Sequence, residues 1–258
     1  MRFVKIFTDS RGRGLHSSVG DIPASSNTRI TARSTGGAKL TELICEARNE
    51  LINNNDTKYI VILAGICDLT TRVRSHGIKC LEYHSREAIL EKIKQDITQL
   101  YFEFPGKVNI ATIYPASIRK YYLHHNGIEL NSEDQTHQDQ LNQDIIDIND
   151  TIINCNIRTA IETIDLHRVF HSSSKKKKSK KRVIKFEHKL LPDGVHPANT
   201  AQDKCFNRIH LVLRSEIPRH ILKETFSSGA NAQNAELTTE SEVSEDDRDS
   251  RRKRVRTK

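Results

Sequence analysis

The sequence has no long apolar run. Its N-terminal stretch "FVKIF" is only five residues long and carries a lysine, which fits neither a signal peptide nor a membrane-crossing helix. Cysteine is sparse: Cys45, Cys67, Cys80, Cys155 and Cys205 make an odd number, with no C-x-x-C spacing and no His/Cys cluster of zinc geometry. That pattern argues against a disulfide framework or a structural zinc site and fits a reducing, intracellular compartment with most thiols buried. Apolar residues make up only 36% of the chain, so part of it lies outside a core. There is no internal repeat. What remains, 258 residues, suits one sizeable α/β domain with extensions.

The formal net charge of +8 is not spread evenly. "KKKKSKKR" (175–182) and "RRKRVRTK" (251–258) together hold 13 of the 41 basic residues and no acid. The stretch 236–249 holds 7 of the 33 acidic residues and one arginine, Arg248. Without these three segments 27 basic and 26 acidic residues remain, a nearly neutral body. The basicity therefore concerns partners and addressing rather than the fold. "RRKRVRTK" has the composition of a nuclear-import signal. Residues 226–258 have no apolar period and read as a disordered, acidic-then-basic tail. "SEVSEDD" (241–247) within it has the acidic pattern of a kinase site at Ser241 or Ser244.

Strand-like and helix-like segments alternate over residues 1–225. "RFVKIF" (2–7), "TRITA" (28–32), "KYIVILAG" (58–65), "KVNIATIYP" (107–115) and "TAIETIDL" (159–166) read as strands. The third is a continuous β-branched run, as in a strand covered on both faces. Helical spacing appears over 38–52, 85–104, 133–156 and 198–214. This order predicts a three-layer α/β/α, flavodoxin-like fold with a parallel sheet of about five strands. A lysine-rich insertion at 172–190 interrupts it, with "RVF" and "RVIKF" flanking the lysines as a potential hairpin. His124 and His125 fall in a polar loop on this reading.

In such sheets the functional site lies beyond the carboxyl ends of the strands. Four loops there carry chemistry. Asp9 and Ser10 follow the first strand, and Gly36 and Gly37 follow the second. "AGICDLT", with Gly65, Cys67 and Asp68, follows the third. "PDGVHP" holds Asp193 and His196 three residues apart after the last strand. Acyl transfer needs a hydroxyl, a base to take its proton, and a group that fixes the tautomer of the base. Ser10, His196 and Asp193 supply those types, and the N–H groups of Ser10 and Gly36 or Gly37 could hold an oxyanion. The alternative for Ser10 is an ordinary helix cap.

These blocks resemble the SGNH (GDSL-type) hydrolase superfamily over residues 3–214. "TDSRGRGL" resembles the nucleophile block, with Thr8 in place of its usual glycine. Gly36-Gly37 is similar to the second block, "AGICDLT" to the third, and "DGVHP" to the Asp-x-x-His block. The resemblance implies an esterase or deacetylase with catalytic residues Ser10, Asp193 and His196, and an oxyanion hole at Ser10, Gly36, Gly37 and position 67. Asp9, Gly65 and Asp68 would support these loops. It implies no metal or organic cofactor, and a small ester or O-acetylated substrate. The chain departs from the family at Cys67, where an asparagine would donate its amide to the oxyanion. A thiol is a poor donor, so oxyanion stabilisation is expected to be weakened unless Thr70 or Thr71 substitutes.

Basic residues recur near the strand ends. Arg11, Arg13, Arg72 and Arg74 are candidates for binding an anionic group, the plainer reading being charge that loops carry anyway. The alternative function is a catalytically degenerate SGNH domain that binds nucleic acid, through 175–182 and 251–258, or protein. Such domains occur in the first open-reading-frame proteins of some LINE retrotransposons, which makes a mobile-element origin a corollary of that alternative.

Overall fold

The computed structural model describes residues 2–13, 15, 28–84, 86–127, 129, 135–172 and 185–216. They belong to one compact unit, 1–216; the second unit, 217–258, the lysine run 175–182, the basic run 251–258 and Ser241 and Ser244 lie outside the described residues.

Four strands form a parallel sheet in the order β2-β1-β3-β6: β1 (Arg2–Thr8), β2 (Thr28–Ser34), β3 (Thr57–Leu63) and β6 (Val108–Ile110). In β3, Ile60, Val61 and Ile62 are all fully buried, as its apolar run requires of a strand with both faces covered. On one face Ile60, Ile62, Phe7 and Ile110 share a core with three helices: α1 (Leu40–Asn53), α3 (Glu87–Glu103) and α5 (Gln135–Arg158). Each presents an apolar stripe at helical spacing, such as Leu141, Ile145, Ile148 and Ile152 on α5. The opposite face lies toward α6, residues 199–216, whose Cys205, Phe206 and Ile209 line a small void with Leu63, Ala64 and Leu166.

The fifth expected strand is not one. Residues 161–166 run extended beside β6 but join it through Thr112 N–H to the Ile164 carbonyl (3.0 Å) and the Asn109 side-chain amide to the Glu162 carbonyl (2.9 Å). β6 is also shorter than "KVNIATIYP" implies. Past Ile110 the chain leaves the ladder, and amide side chains of α5 hold it instead. Asn149 accepts from Ile113 N–H (2.6 Å) and donates to its carbonyl (2.8 Å), and Gln138 accepts from Ile118 N–H (2.9 Å) and donates to the Ala116 carbonyl (2.8 Å). These clips satisfy backbone groups that a strand would have paired.

Four elements were not expected from sequence. A single helical turn, α2 (Ile66–Leu69), leads into an antiparallel hairpin of β4 (Thr70–Ser75) and β5 (Ile78–Tyr83). Helix α4 (Ile118–Asn126) contains His124 and His125, which therefore sit on a helix rather than in a loop. Beside the lysine run β7 (His171–Ser172) pairs with β8 (Lys185–Phe186), so the pairing involves the two residues after "RVF", which itself lies in a 3-10 turn, His167–Phe170.

Strand β1 is hydrogen-bonded to β2 on one side and β3 on the other. The chain thus reverses direction across the sheet at β1, and its carboxyl end is the topological switch point where such folds form a crevice.

Candidate active site

Ser10 lies just beyond β1, in a 3-10 turn formed by Ser10–Gly12. The cap of that turn is Asp9, whose carboxylate accepts the N–H of Arg11 at 2.9 Å. The capping role that sequence offered to Ser10 is thus filled by its neighbour. Ser10 Oγ instead lies 3.2 Å from His196 Nε2. Thr8 explains the glycine that follows: a Cβ on Gly12 would meet the Thr8 side chain at 2.1 Å.

His196 Nδ1 stands 2.5 Å from one carboxylate oxygen of Asp193. The other oxygen accepts the N–H groups of Val195 (2.9 Å) and His196 (2.6 Å), so the D-x-x-H segment folds the carboxylate onto its own histidine. Partial burial raises the Asp193 pKa, but the hydrogen bonds from His196 and Val195 outweigh it and the net shift is downward. An ionised carboxylate only accepts, so Nδ1 carries the proton. A neutral imidazole then leaves Nε2 as an acceptor for the Ser10 hydroxyl.

Gly194 makes this turn possible. Its φ is +81°, and a Cβ there would lie 2.4 Å from the Ser117 carbonyl oxygen and from Tyr121 N. The close approach lets Ser117 N–H donate to the Gly194 carbonyl at 2.7 Å, docking the turn on the start of α4.

The second loop, at Gly36 and Gly37, adjoins the Ser10 turn. Thr35 N–H donates to the Thr8 carbonyl (2.8 Å) and Ser34 Oγ to the Asp9 carbonyl (2.9 Å). Both glycines are exposed, with open space where a Cβ would stand. Among the described residues the N–H groups of Ser10, Gly36 and Gly37 meet no acceptor.

The third loop starts at Gly65, where φ is +138° and a Cβ would collide with Ile113 at 2.2 Å. Asp68, buried, accepts from Leu40 N–H (2.6 Å), Thr41 N–H (3.3 Å) and Thr41 Oγ1 (3.1 Å). It caps α1 from a distance and ties the third loop to the helix that follows Gly36-Gly37. Cys67 is half-buried beside it. Burial, then the charge of Asp9, push its thiol pKa up, so the thiol is neutral and remains a weak donor. The two threonines do not replace an asparagine. Thr70 Oγ1 donates to the Ile66 carbonyl (2.8 Å), and Thr71 Oγ1 bonds His84 Nδ1 (3.0 Å).

Of the four candidate anion-binding arginines, Arg11 is a correction. It is buried, pairs through Nε with Asp9 (3.3 Å), donates through a terminal nitrogen to the Tyr114 carbonyl (3.1 Å), and lies 4.1 Å over the Tyr114 ring. Its guanidinium braces the Ser10 turn from beneath and has no surface to offer. Arg13, Arg72 and Arg74 are exposed. Sequence reasoning missed the support given by Arg11, Tyr114 and Ser117, because each acts through a long-range contact with no local motif.

By sequence, the chain matches no protein-family model and no curated protein. Its structure is similar to an acetyl xylan esterase, AlAXEase, at a TM-score of 0.50 and 16% identity, over 80% of this chain and 97% of that one. Two looser likenesses are to a member of the lipolytic G-D-S-L family from Veillonella parvula (TM-score 0.47, 14% identity, 81% and 96% covered) and to the esterase domain of the ZfL2-1 ORF1 protein from a zebrafish retrotransposon (0.28, 14%, 82% and 98%). The first superposition is the one that carries weight, and at its identity the likeness is one of fold. The four-stranded parallel sheet flanked by helices is thus an α/β architecture that this chain shares with a known esterase, in agreement with the α/β fold read from its sequence.

Proposed function

We propose that this chain is a serine ester hydrolase of the SGNH type acting on small acyl esters. The observation that carries the reading is the relay from Ser10 Oγ to His196 Nε2 (3.2 Å) and from Nδ1 to Asp193 (2.5 Å), at the switch point of the sheet. His196 Nε2 takes the Ser10 proton as Oγ attacks the ester carbonyl carbon. The oxyanion that forms is held by the N–H groups of Ser10 and Gly36 or Gly37. Collapse breaks the C–O bond to the alcohol, which leaves with the proton from His196. Water then attacks the acyl-enzyme with His196 as base, and the acid departs as Ser10 regains its proton. Asp193 keeps Nδ1 protonated and stabilises the imidazolium in both halves.

Cys67 favours the slow end of such chemistry. Losing one side-chain oxyanion donor costs about 10²–10³ in rate, and the hydroxyls of Thr70 and Thr71 are engaged elsewhere. A domain that binds its ligand and turns it over little is the second reading that this position supports. An active-site-directed fluorophosphonate tests the first. Wild type should be labelled and Ser10→Ala should not. Absence of labelling in folded wild type, or labelling that survives Ser10→Ala, overturns the enzyme reading.

A further inference from the structure

The hairpin of β4 and β5 carries unbalanced charge beside the proposed active site. In its register Arg72 stands opposite Leu81 and Arg74 opposite Lys79. Residues directly opposite share a face, so Arg72, Arg74 and Lys79 lie on the side that buries Leu81. Arg74 and Lys79 meet as like charges across the strands, an unfavourable pairing. All three are exposed, and among the described residues none has a carboxylate partner. Cations elsewhere on the body do, such as Lys5 with Glu50 (2.7 Å) and Arg48 with Glu103 (2.6 Å).

The hairpin is fastened to the site at both ends. β4 continues directly from the turn holding Cys67 and Asp68, and Arg72 follows Thr70 by about 7 Å of extended chain. At the other end Asn126, the last residue of α4, accepts from Lys79 N–H (2.9 Å) and donates to its carbonyl (2.8 Å). The same helix begins at Ser117, which is docked on Gly194 in the Asp193–His196 turn. On the same helix the His125 ring lies 4.4 Å from that of Tyr121. The hairpin is thus joined at one end to the Cys67 loop and at the other, through α4, to the Asp193–His196 turn.

We infer that this hairpin is an anion-recognition wall, and that the substrate is an ester carrying a carboxylate or phosphate group. The inference rests on the esterase reading above for its reaction, but not for the binding. A like-charge pair with no carboxylate partner among the described residues is relieved by a bound anion, and Arg72 offers a planar fork that matches carboxylate or phosphate oxygens.

The test compares phenyl acetate, 4-carboxyphenyl acetate and 4-acetoxyphenyl phosphate on the full chain, wild type and Arg72→Gln/Lys79→Gln. The ratio of kcat/KM on either anionic ester to that on phenyl acetate should fall at least tenfold in the variant, and in wild type at high salt, where screening shortens the reach of the charges. Which anionic ester loses more identifies carboxylate or phosphate as the group. A ratio unchanged by the two substitutions overturns the inference. A second measurement stands apart from turnover: calorimetric binding of 4-carboxyphenyl acetate and 4-acetoxyphenyl phosphate to Ser10→Ala, with and without the same two substitutions. Binding that weakens tenfold or more on substitution upholds the wall even if wild type hydrolyses nothing, in which case the esterase reading alone fails. Binding indifferent to Arg72 and Lys79, or absent altogether, removes the wall while leaving hydrolysis of phenyl acetate untouched.

Discussion

At the scale of single residues, the proposed site depends on which side chains are kept away from it. Ser10 is available because Asp9 does the capping, and Asp9 is fixed because Arg11 is buried against it. A buried ion pair of this kind is costly to break, since the partner left behind is an uncompensated charge. Cys67 is the position where the arrangement falls short. Its neutral thiol stands where the family resemblance calls for an amide donor. Cys67→Asn should therefore raise kcat on a generic acetyl ester, by tenfold or more, equivalent to about 1.4 kcal/mol of barrier or more. Steady-state kinetics beside a thermal melt would check it. An unchanged or lower rate in protein of wild-type stability would mean that another group already serves the oxyanion, or that the loop aims residue 67 elsewhere.

At the scale of elements, the loops of the site are held by one another more than by local sequence. Helix α1 has no capping side chain at Lys39, and Asp68 supplies the acceptor from the third loop. Removing such a cap typically costs about 1 kcal/mol, and up to about 2. Asp68→Ala should lose stability of that order in urea unfolding and should also slow ester turnover, because Gly36-Gly37 lead directly into the helix it caps. Asp68→Asn keeps one carbonyl acceptor and should fall between. Equal losses for Ala and Asn would show that the charge rather than the cap matters there. What the sequence made legible follows from the same distinction. Strand β3 and helices α1, α3 and α5 were readable because a core face imposes a period on their residues. The Asp193–His196 turn was readable because its geometry lies within four consecutive residues. The hairpin of β4 and β5 was not, since Thr70 and Leu81 are its only buried residues and no alternation marks it. Helix α4 buries just Ile118 and Tyr121. The segment 161–166 read as a strand from composition, but its neighbour β6 had already left the ladder at Ile110 to be clasped by Asn149 and Gln138. Arg11 read as a rim cation because its burial depends on Tyr114, which lies 103 positions further along the chain.

At the scale of the whole molecule, charge and fold are separate. The body is close to neutral, and the excess of positive charge sits in 175–182 and 251–258. The first of these runs falls in sequence between β7 and β8, which pair with each other. The second follows an acidic stretch near the end of the chain. Each run is dense enough to neutralise several phosphates. Binding of that kind releases counterions and weakens steeply with salt, by about 0.9 logarithmic units of affinity per logarithmic unit of salt for each phosphate on duplex DNA. Any affinity of the full chain for nucleic acid should therefore reside in these runs. Replacing their 13 lysines and arginines by glutamine should weaken binding to RNA and DNA alike, without sequence preference, and flatten the salt slope. Replacing only the first run should flatten it in part. A fluorescence-anisotropy titration at several salt concentrations separates the cases. If the fully substituted chain binds as tightly and with the same slope as wild type, the affinity must come from cations on the body. Arg13, Arg72 and Arg74 are then the exposed candidates, while Arg11, enclosed by Asp9 and Tyr114, is not among them.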